Sequence, residues 1–192
     1  MNFGRNICRR LMTLAVLATA VTVHNSCTDE NVQNVYSRYR AYFRYDNVMS
    51  ALPLYPALTG VGEYCTISTA GSYLYFRSLT KSQQVNLTSL AYYQRYVAIA
   101  GFIVGRMNIP DMNTGAVEPA AYDLACPNCY ADDNISKPLT LKEGGFARCA
   151  RCKRIYNLNN GGLISSGGKG RKLERYRITF SGSSIVEIRN RM

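Results

Sequence analysis

Histidine is all but missing from this chain: among 192 residues only His24 carries an imidazole. From Asn25 onward there is none, which excludes Ser-His-Asp and Cys-His catalysis and every zinc enzyme built on histidine ligands. Long apolar runs are missing too. The run Leu11–Val23 is too short to cross a hydrocarbon core of about 30 Å. No repeat with a period of roughly 20–50 residues and no low-complexity tract is visible. Acids are scarce, 12 Asp and Glu against 23 Lys and Arg, for a formal charge of +11. The imbalance is steepest from Ala147 to Arg177. There Glu174 alone faces Arg148, Arg151, Lys153, Arg154, Lys169, Arg171, Lys172, Arg175 and Arg177.

What is present begins with a basic start. Arg5, Arg9 and Arg10 precede the apolar run without an acid among them, and His24-Asn25-Ser26-Cys27 follows it. Basic, apolar and small-residue segments in that order make a secretory signal. The cysteine behind a small residue resembles the lipobox of bacterial lipoproteins, although His24-Asn25 stand where the commonest lipobox has Leu and a small residue. The resemblance implies that residues 1–26 are removed and that Cys27 becomes the lipidated first residue, anchored in a bacterial outer membrane. Residues 27–34 would then be a polar tether and 35–192 the folded domain. An ordinary signal cut nearby would instead leave Cys27 a free thiol. Thr28-Asp29-Glu30 is similar to the acidic surface-export signal of some Gram-negative lipoproteins, and as a bland alternative it is a solvated tether. Cleavage lowers the charge by three and takes His24 away, and what is left is long enough for one domain with a real core.

Seven cysteines sort by position. Cys8 leaves with the signal, Cys27 is the anchor, and Cys65 lies in an alternating strand pattern that makes it a small buried apolar side chain. The remaining four form Cys126-Pro-Asn-Cys129 and Cys149-Ala-Arg-Cys152, separated by 19 residues. Each C-x-x-C turn can aim two thiolates at one centre, and two turns close a tetrahedron of sulfurs at about 2.3 Å from a zinc ion. Four thiolates also suit a [2Fe–2S] cluster. In an oxidising compartment two disulfides are the alternative. A C-x-x-C disulfide, however, closes a small strained loop typical of redox catalysts rather than staples. The neighbouring cations favour thiolates and offset the charge of a four-thiolate zinc site, although most of them read equally well as solvated loop and strand charges.

Along the rest of the chain, Tyr36–Tyr45 alternates with period two. Arg38, Arg40, Tyr42 and Arg44 fall on one face and Tyr39, Ala41, Phe43 and Tyr45 on the other, which predicts a strand with an aromatic inner face. Arginines interleaved with tyrosines can also grip single-stranded nucleic acid, but an exported protein is not expected to meet it. Dense Gly and Pro punctuation separates short Tyr-, Ile- and Val-rich runs such as Gly71–Arg77 and Gly101–Arg106. This predicts an all-β sandwich or barrel. Ser82–Tyr96 reads as a short helix or an insertion. Leu173–Phe180 and Ser184–Arg189 read as a closing hairpin across Ser181-Gly182-Ser183.

The second half of the chain then resembles the Rieske iron–sulfur domain. The resemblance is carried by Phe102-Ile-Val-Gly-Arg106, by Ala121-Tyr-Asp-Leu-Ala-Cys-Pro-Asn-Cys129, and by Cys149-Ala-Arg-Cys152-Lys-Arg-Ile-Tyr156-Asn-Leu-Asn-Asn-Gly-Gly162. Gly167-Gly168 and Leu173-Glu-Arg-Tyr176 extend it. It implies an antiparallel β-sandwich with a metal-clasp subdomain made of two C-x-x-C loops. The departures fall on the ligands. Cys129 and Cys152 stand where the family has histidines, Arg154 where a serine bonds a cluster sulfur, and Gly168 where the family has a lid proline. Two histidines on one iron are what raise the Rieske potential, so that device is gone. The expected protein is a non-catalytic envelope lipoprotein with structural zinc and a possible envelope protein partner. The competing expectations are a [2Fe–2S] electron-transfer protein served by a membrane-bound redox partner, and a thiol–disulfide protein.

Overall fold

The computed structural model describes residues 35–87, 96–110, 115, 117–182 and 184–190. The expectations for the signal, Cys27 and the tether lie outside these residues. The compact unit begins at Val35. It is an all-β fold, as the punctuation predicts, and its sheets are curled and antiparallel. The larger sheet has eight strands: β1 (Ala41–Tyr45), β2 (Tyr64–Ala70), β3 (Tyr73–Arg77), β4 (Ser82–Asn86), β5 (Phe102–Arg106), β6 (Pro119–Asp123), β11 (Arg175–Phe180) and β12 (Val186–Asn190). They are ordered β1-β12-β11-β6-β5-β2-β3-β4. A separate four-stranded sheet, ordered β10-β9-β8-β7, comprises β7 (Leu139–Lys142), β8 (Phe146–Cys149), β9 (Ile155–Asn157) and β10 (Leu163–Ser166).

Alternation puts Phe43, Tyr45, Phe76, Phe102 and Tyr176 on one inner face, and the curl brings distant strands together. Tyr45 of β1 meets Phe76 of β3 edge to face at 5.0 Å, and Phe102 of β5 meets Tyr176 of β11 at 5.8 Å. Phe43, Ile67, Phe76, Phe102, Val104, Val186 and Ile188 fill this core together with the buried Cys65. Each such side chain contributes roughly 1.5–3 kcal/mol by leaving water. Residues Leu54–Thr59 form a short helix that buries Leu54, Ala57 and Leu58 against the same core.

Three sequence expectations change. Ser82–Asn86 is the edge strand β4 and not a helix, paired in register with β3 from Ser82–Arg77 to Asn86–Tyr73. Its tertiary partners outweigh its weak local pattern, because the Gln83 side chain donates to the Ser50 carbonyl and accepts from the Leu52 N–H. Residues 88–95 of that expected element lie outside the description. The first strand is Ala41–Tyr45 rather than Tyr36–Tyr45. Its alternation holds at Ala41 and Phe43, but Ser37 and Tyr39 are diverted when their carbonyls accept from the Asn190 side-chain amide. The half-exposed Tyr39 ring then packs on Tyr130 at 5.4 Å instead of joining the core. The first cysteine pair opens a helix, Pro127–Asp133, rather than sitting in a bare loop. The closing hairpin is as expected, with Ile178 opposite Ile188 and Phe180 opposite Val186.

The small sheet packs on a second apolar cluster in which Ile103, Tyr122 and Leu124 meet Leu139, Ala147, Tyr156 and Leu158. Asn159 ties the two together. Its Oδ1 accepts from the Tyr64 hydroxyl at 2.8 Å and the Asn108 N–H at 3.0 Å, and its Nδ2 donates to the Gly144 carbonyl.

Candidate metal centre

The first cysteine pair is positioned from β6. Asp123, fully buried at the end of that strand, accepts four hydrogen bonds, from the N–H groups of Ile99, Ala100 and Ala125 and from the Tyr176 hydroxyl. They fix the chain three residues before Cys126. Cys126 then caps the helix Pro127–Asp133 with extended backbone, and Pro127 fits the first turn because its missing N–H would have no partner there. Asn134 ends the helix in the left-handed conformation, at φ 54°. One helical turn places Cys129 beside Cys126.

The second pair sits in the tight connection between β8 and β9. Cys149 N–H donates to the Arg154 carbonyl at 3.0 Å, and Lys153 N–H returns to the Cys149 carbonyl at 3.1 Å. Lys153 takes the left-handed conformation, φ 63°, to close this turn.

The four sulfurs converge. All lie within 4.8 Å of one another, with Cys126 Sγ 3.5 Å from Cys152 Sγ and Cys129 Sγ 3.7 Å from Cys149 Sγ. All four cysteines are thiols, and so is Cys65 in the other core. Cys126, Cys129 and Cys149 are buried while Cys152 is half-buried. The group is compatible with a metal site, and every cysteine of the two motifs takes part in it.

Around the sulfurs is a shell that spacing alone does not show. The Asn128 Oδ1 accepts from the Arg171 N–H at 2.9 Å, which turns its Nδ2 toward Tyr156 Oη at 2.8 Å. With that oxygen accepting from Asn128, the Tyr156 hydroxyl proton is directed at Cys126 Sγ, 3.2 Å away. On the other side the N–H and guanidinium of Arg154 lie by Cys152 and favour its thiolate, while the same guanidinium donates to the Lys169 carbonyl at 3.0 Å. The expectation that most basic residues here are solvated therefore has an exception at Arg154. Arg148, Arg151 and Lys153 are exposed, with Arg151 paired to Asp133 and Lys153 Nζ donating to the Ala150 carbonyl. The sequence clue to Asn128 was its place inside the first pair, and no pattern marked its bond to Tyr156.

Burial shapes the ionisation of the metal-free thiols. It pushes the Cys126 and Cys129 thiols up, with the Tyr156 hydroxyl and the nearby Cys129 N–H dipole opposing the rise at Cys126. Burial also opposes ionisation of Cys152, but the Arg154 N–H and guanidinium outweigh it and bring that thiol down to about 7. Cys65, where only the Arg77 N–H opposes it, is pushed by burial up to about 12.

The glycine-rich loop 167–172 closes over both pairs. A side chain at Gly170 would collide with Asn128, and Gly168 has φ 92°, a conformation closed to proline. The loop thus follows a course that a Gly-Pro lid does not. Cys27 lies outside the described residues, and among those described no helix is long and apolar enough to cross a membrane. No known protein family matches the chain, and no curated protein matches it either.

Proposed function

We propose that this protein is a non-catalytic, lipid-anchored envelope protein whose Cys126, Cys129, Cys149 and Cys152 hold one structural zinc ion. The observation that carries the reading is the sulfur geometry. Four thiolates at about 2.3 Å from one zinc ion stand about 3.8 Å apart along each edge of their tetrahedron. Two of the separations, 3.5 and 3.7 Å, are close to that spacing, and none exceeds 4.8 Å. A [2Fe–2S] cluster would keep its two thiolate pairs more than about 5 Å apart, because two bridged irons stand between them. Four protein ligands leave zinc no open position, so the ion serves structure and not chemistry. It staples the helix after β6 to the β8–β9 turn, joining the two sheets at the Asp123 end, while Asn159 ties them together at the opposite end. The Rieske-like order of motifs suits this reading as a clasp whose histidines have become thiolates. The lipobox-like Cys27 supplies the anchor and an outer-membrane location.

Metal analysis of purified protein, free of affinity-tag histidines, is the test. One zinc per chain is expected, in colourless protein. Structural zinc supplies on the order of 10–16 kcal/mol, comparable to the roughly 5–15 kcal/mol total stability of a domain. Replacing any one of the four cysteines with serine should therefore lower the melting temperature by a similar, large amount. A strong chelator should copy that loss, and Cys65→Ser should not produce a metal-dependent one. Red-brown protein with two irons and inorganic sulfide would put electron transfer first. Sensitivity to reductant with indifference to chelator would restore the disulfide reading.

A further inference from the structure

The basic residues near the cysteines gather where the folded unit begins. Arg151 and Lys153 sit on the β8–β9 turn, and Lys169, Arg171 and Lys172 on the loop 167–172. The two segments are joined by the bonds from Arg154 to the Lys169 carbonyl. Asp133 and Asp132 pair with Arg151 at 2.7 Å and Arg171 at 2.9 Å, and Glu174 acts on the adjoining Tyr39, so that five cations face three acids. The start of the unit lies against this group. Ser37 N–H donates to the Arg175 carbonyl, Tyr36 lies under the Arg177 guanidinium at 4.4 Å, and Tyr39 packs on Tyr130 within the fields of both Glu174 and Arg171. From Val35 back to Cys27 the chain can span at most about 28 Å when fully extended.

We infer that the basic face formed by Lys153, Lys169 and Lys172 around the metal centre lies on an anionic lipid surface. The inference rests on the proposal that Cys27 is lipidated. A tether that short, attached at the basic end of the unit, holds that end nearest the membrane. Phosphate-bearing headgroups attract cations that come within a Debye length of about 8 Å. Each Lys or Arg at such a surface strengthens partition about fivefold. The half-buried Cys152 then faces the headgroup layer, and the metal centre sits on the membrane side of the protein. An acidic protein partner would use the same charges, but the attachment point favours lipid, because the anchor brings a membrane to this face without any further encounter.

The test uses the metal-loaded chain from residue 27 carrying Cys27→Ala, so that the face is read without the lipid. Flotation with vesicles containing phosphatidylglycerol should show at least tenfold stronger binding than with neutral phosphatidylcholine vesicles. Half-molar salt should abolish the difference. The triple variant Lys153→Glu, Lys169→Glu, Lys172→Glu should lose at least tenfold while keeping its metal content. The control Arg77→Glu, Lys81→Glu on the β3–β4 hairpin should bind like the parent. Equal binding to both vesicle types, or binding that survives the triple reversal, overturns the inference, and capture by an acidic protein without vesicle binding does so as well. Lipidation is read separately from the mass of the protein with Cys27 intact, so its failure is distinguishable from failure of the basic face.

Discussion

Removing one oxygen tests the hydrogen-bond shell around the proposed metal. Tyr156 is fully buried, and phenylalanine has the same ring, so Tyr156→Phe opens no cavity of consequence. What disappears is the hydroxyl 3.2 Å from Cys126 Sγ and 2.8 Å from Asn128 Nδ2. Asn128 keeps a partner for Nδ2, the Arg171 carbonyl at 3.2 Å, so its amide is not stranded. The loss therefore falls mainly on the sulfur. A hydrogen bond to a charged group is worth roughly 1.5–3 kcal/mol, and removing a partner of a metal ligand typically costs 10–100-fold in affinity. The two figures agree, since each 1.4 kcal/mol is a factor of ten. Competition with a chromophoric chelator should show zinc affinity reduced 10–100-fold. The metal-free variant should melt only a few degrees lower, because a neutral thiol accepts a weaker bond worth about 1 kcal/mol. Affinity within threefold of the parent would refute the donation from Tyr156 to Cys126. An equal loss of stability with and without metal would show that the hydroxyl serves packing alone.

Other outcomes follow from the same contacts. Arg154→Ala should weaken metal binding at least tenfold in the same competition assay, whereas Lys153→Gly should raise the melting temperature by the equivalent of up to about 1 kcal/mol, because a left-handed lysine is relieved. In metal-free reduced protein, iodoacetamide should label Cys152 first, at a rate rising through pH of about 7, while Cys65 stays unlabelled until the chain unfolds. Because the folded Cys152 pKa is depressed, its thiolate contributes stability above the unfolded value and loses that contribution as pH falls through about 7; melts of metal-free Cys152→Ser against the parent across that range should show the difference shrinking on acidification. Asp123→Asn should destabilise by roughly 2–4 kcal/mol in denaturant melts, since an amide offers one acceptor oxygen to a site with four donors. Cys27→Ala should release the protein from membranes, as read by fractionation.

The sequence by itself determined a good deal here. Gly and Pro punctuation with Tyr-, Ile- and Val-rich runs is enough for an all-β fold, because strand alternation is a local property of the chain. The two C-x-x-C pairs were legible for the same reason, as each is a single turn that aims two thiols one way. Local pattern failed where distant partners decide. Asn190 diverts residues 37–39 from the first strand, and Gln83 holds β4 against a segment more than 30 residues away. The convergence of the two pairs, the turning of the Tyr156 hydroxyl by Asn128, and the singling out of Arg154 among many cations each join residues about 15 to 43 positions apart. Such bonds leave no periodic trace, because they exist only once hydrophobic burial has folded the β8–β9 turn and the loop 167–172 back onto the helix after β6.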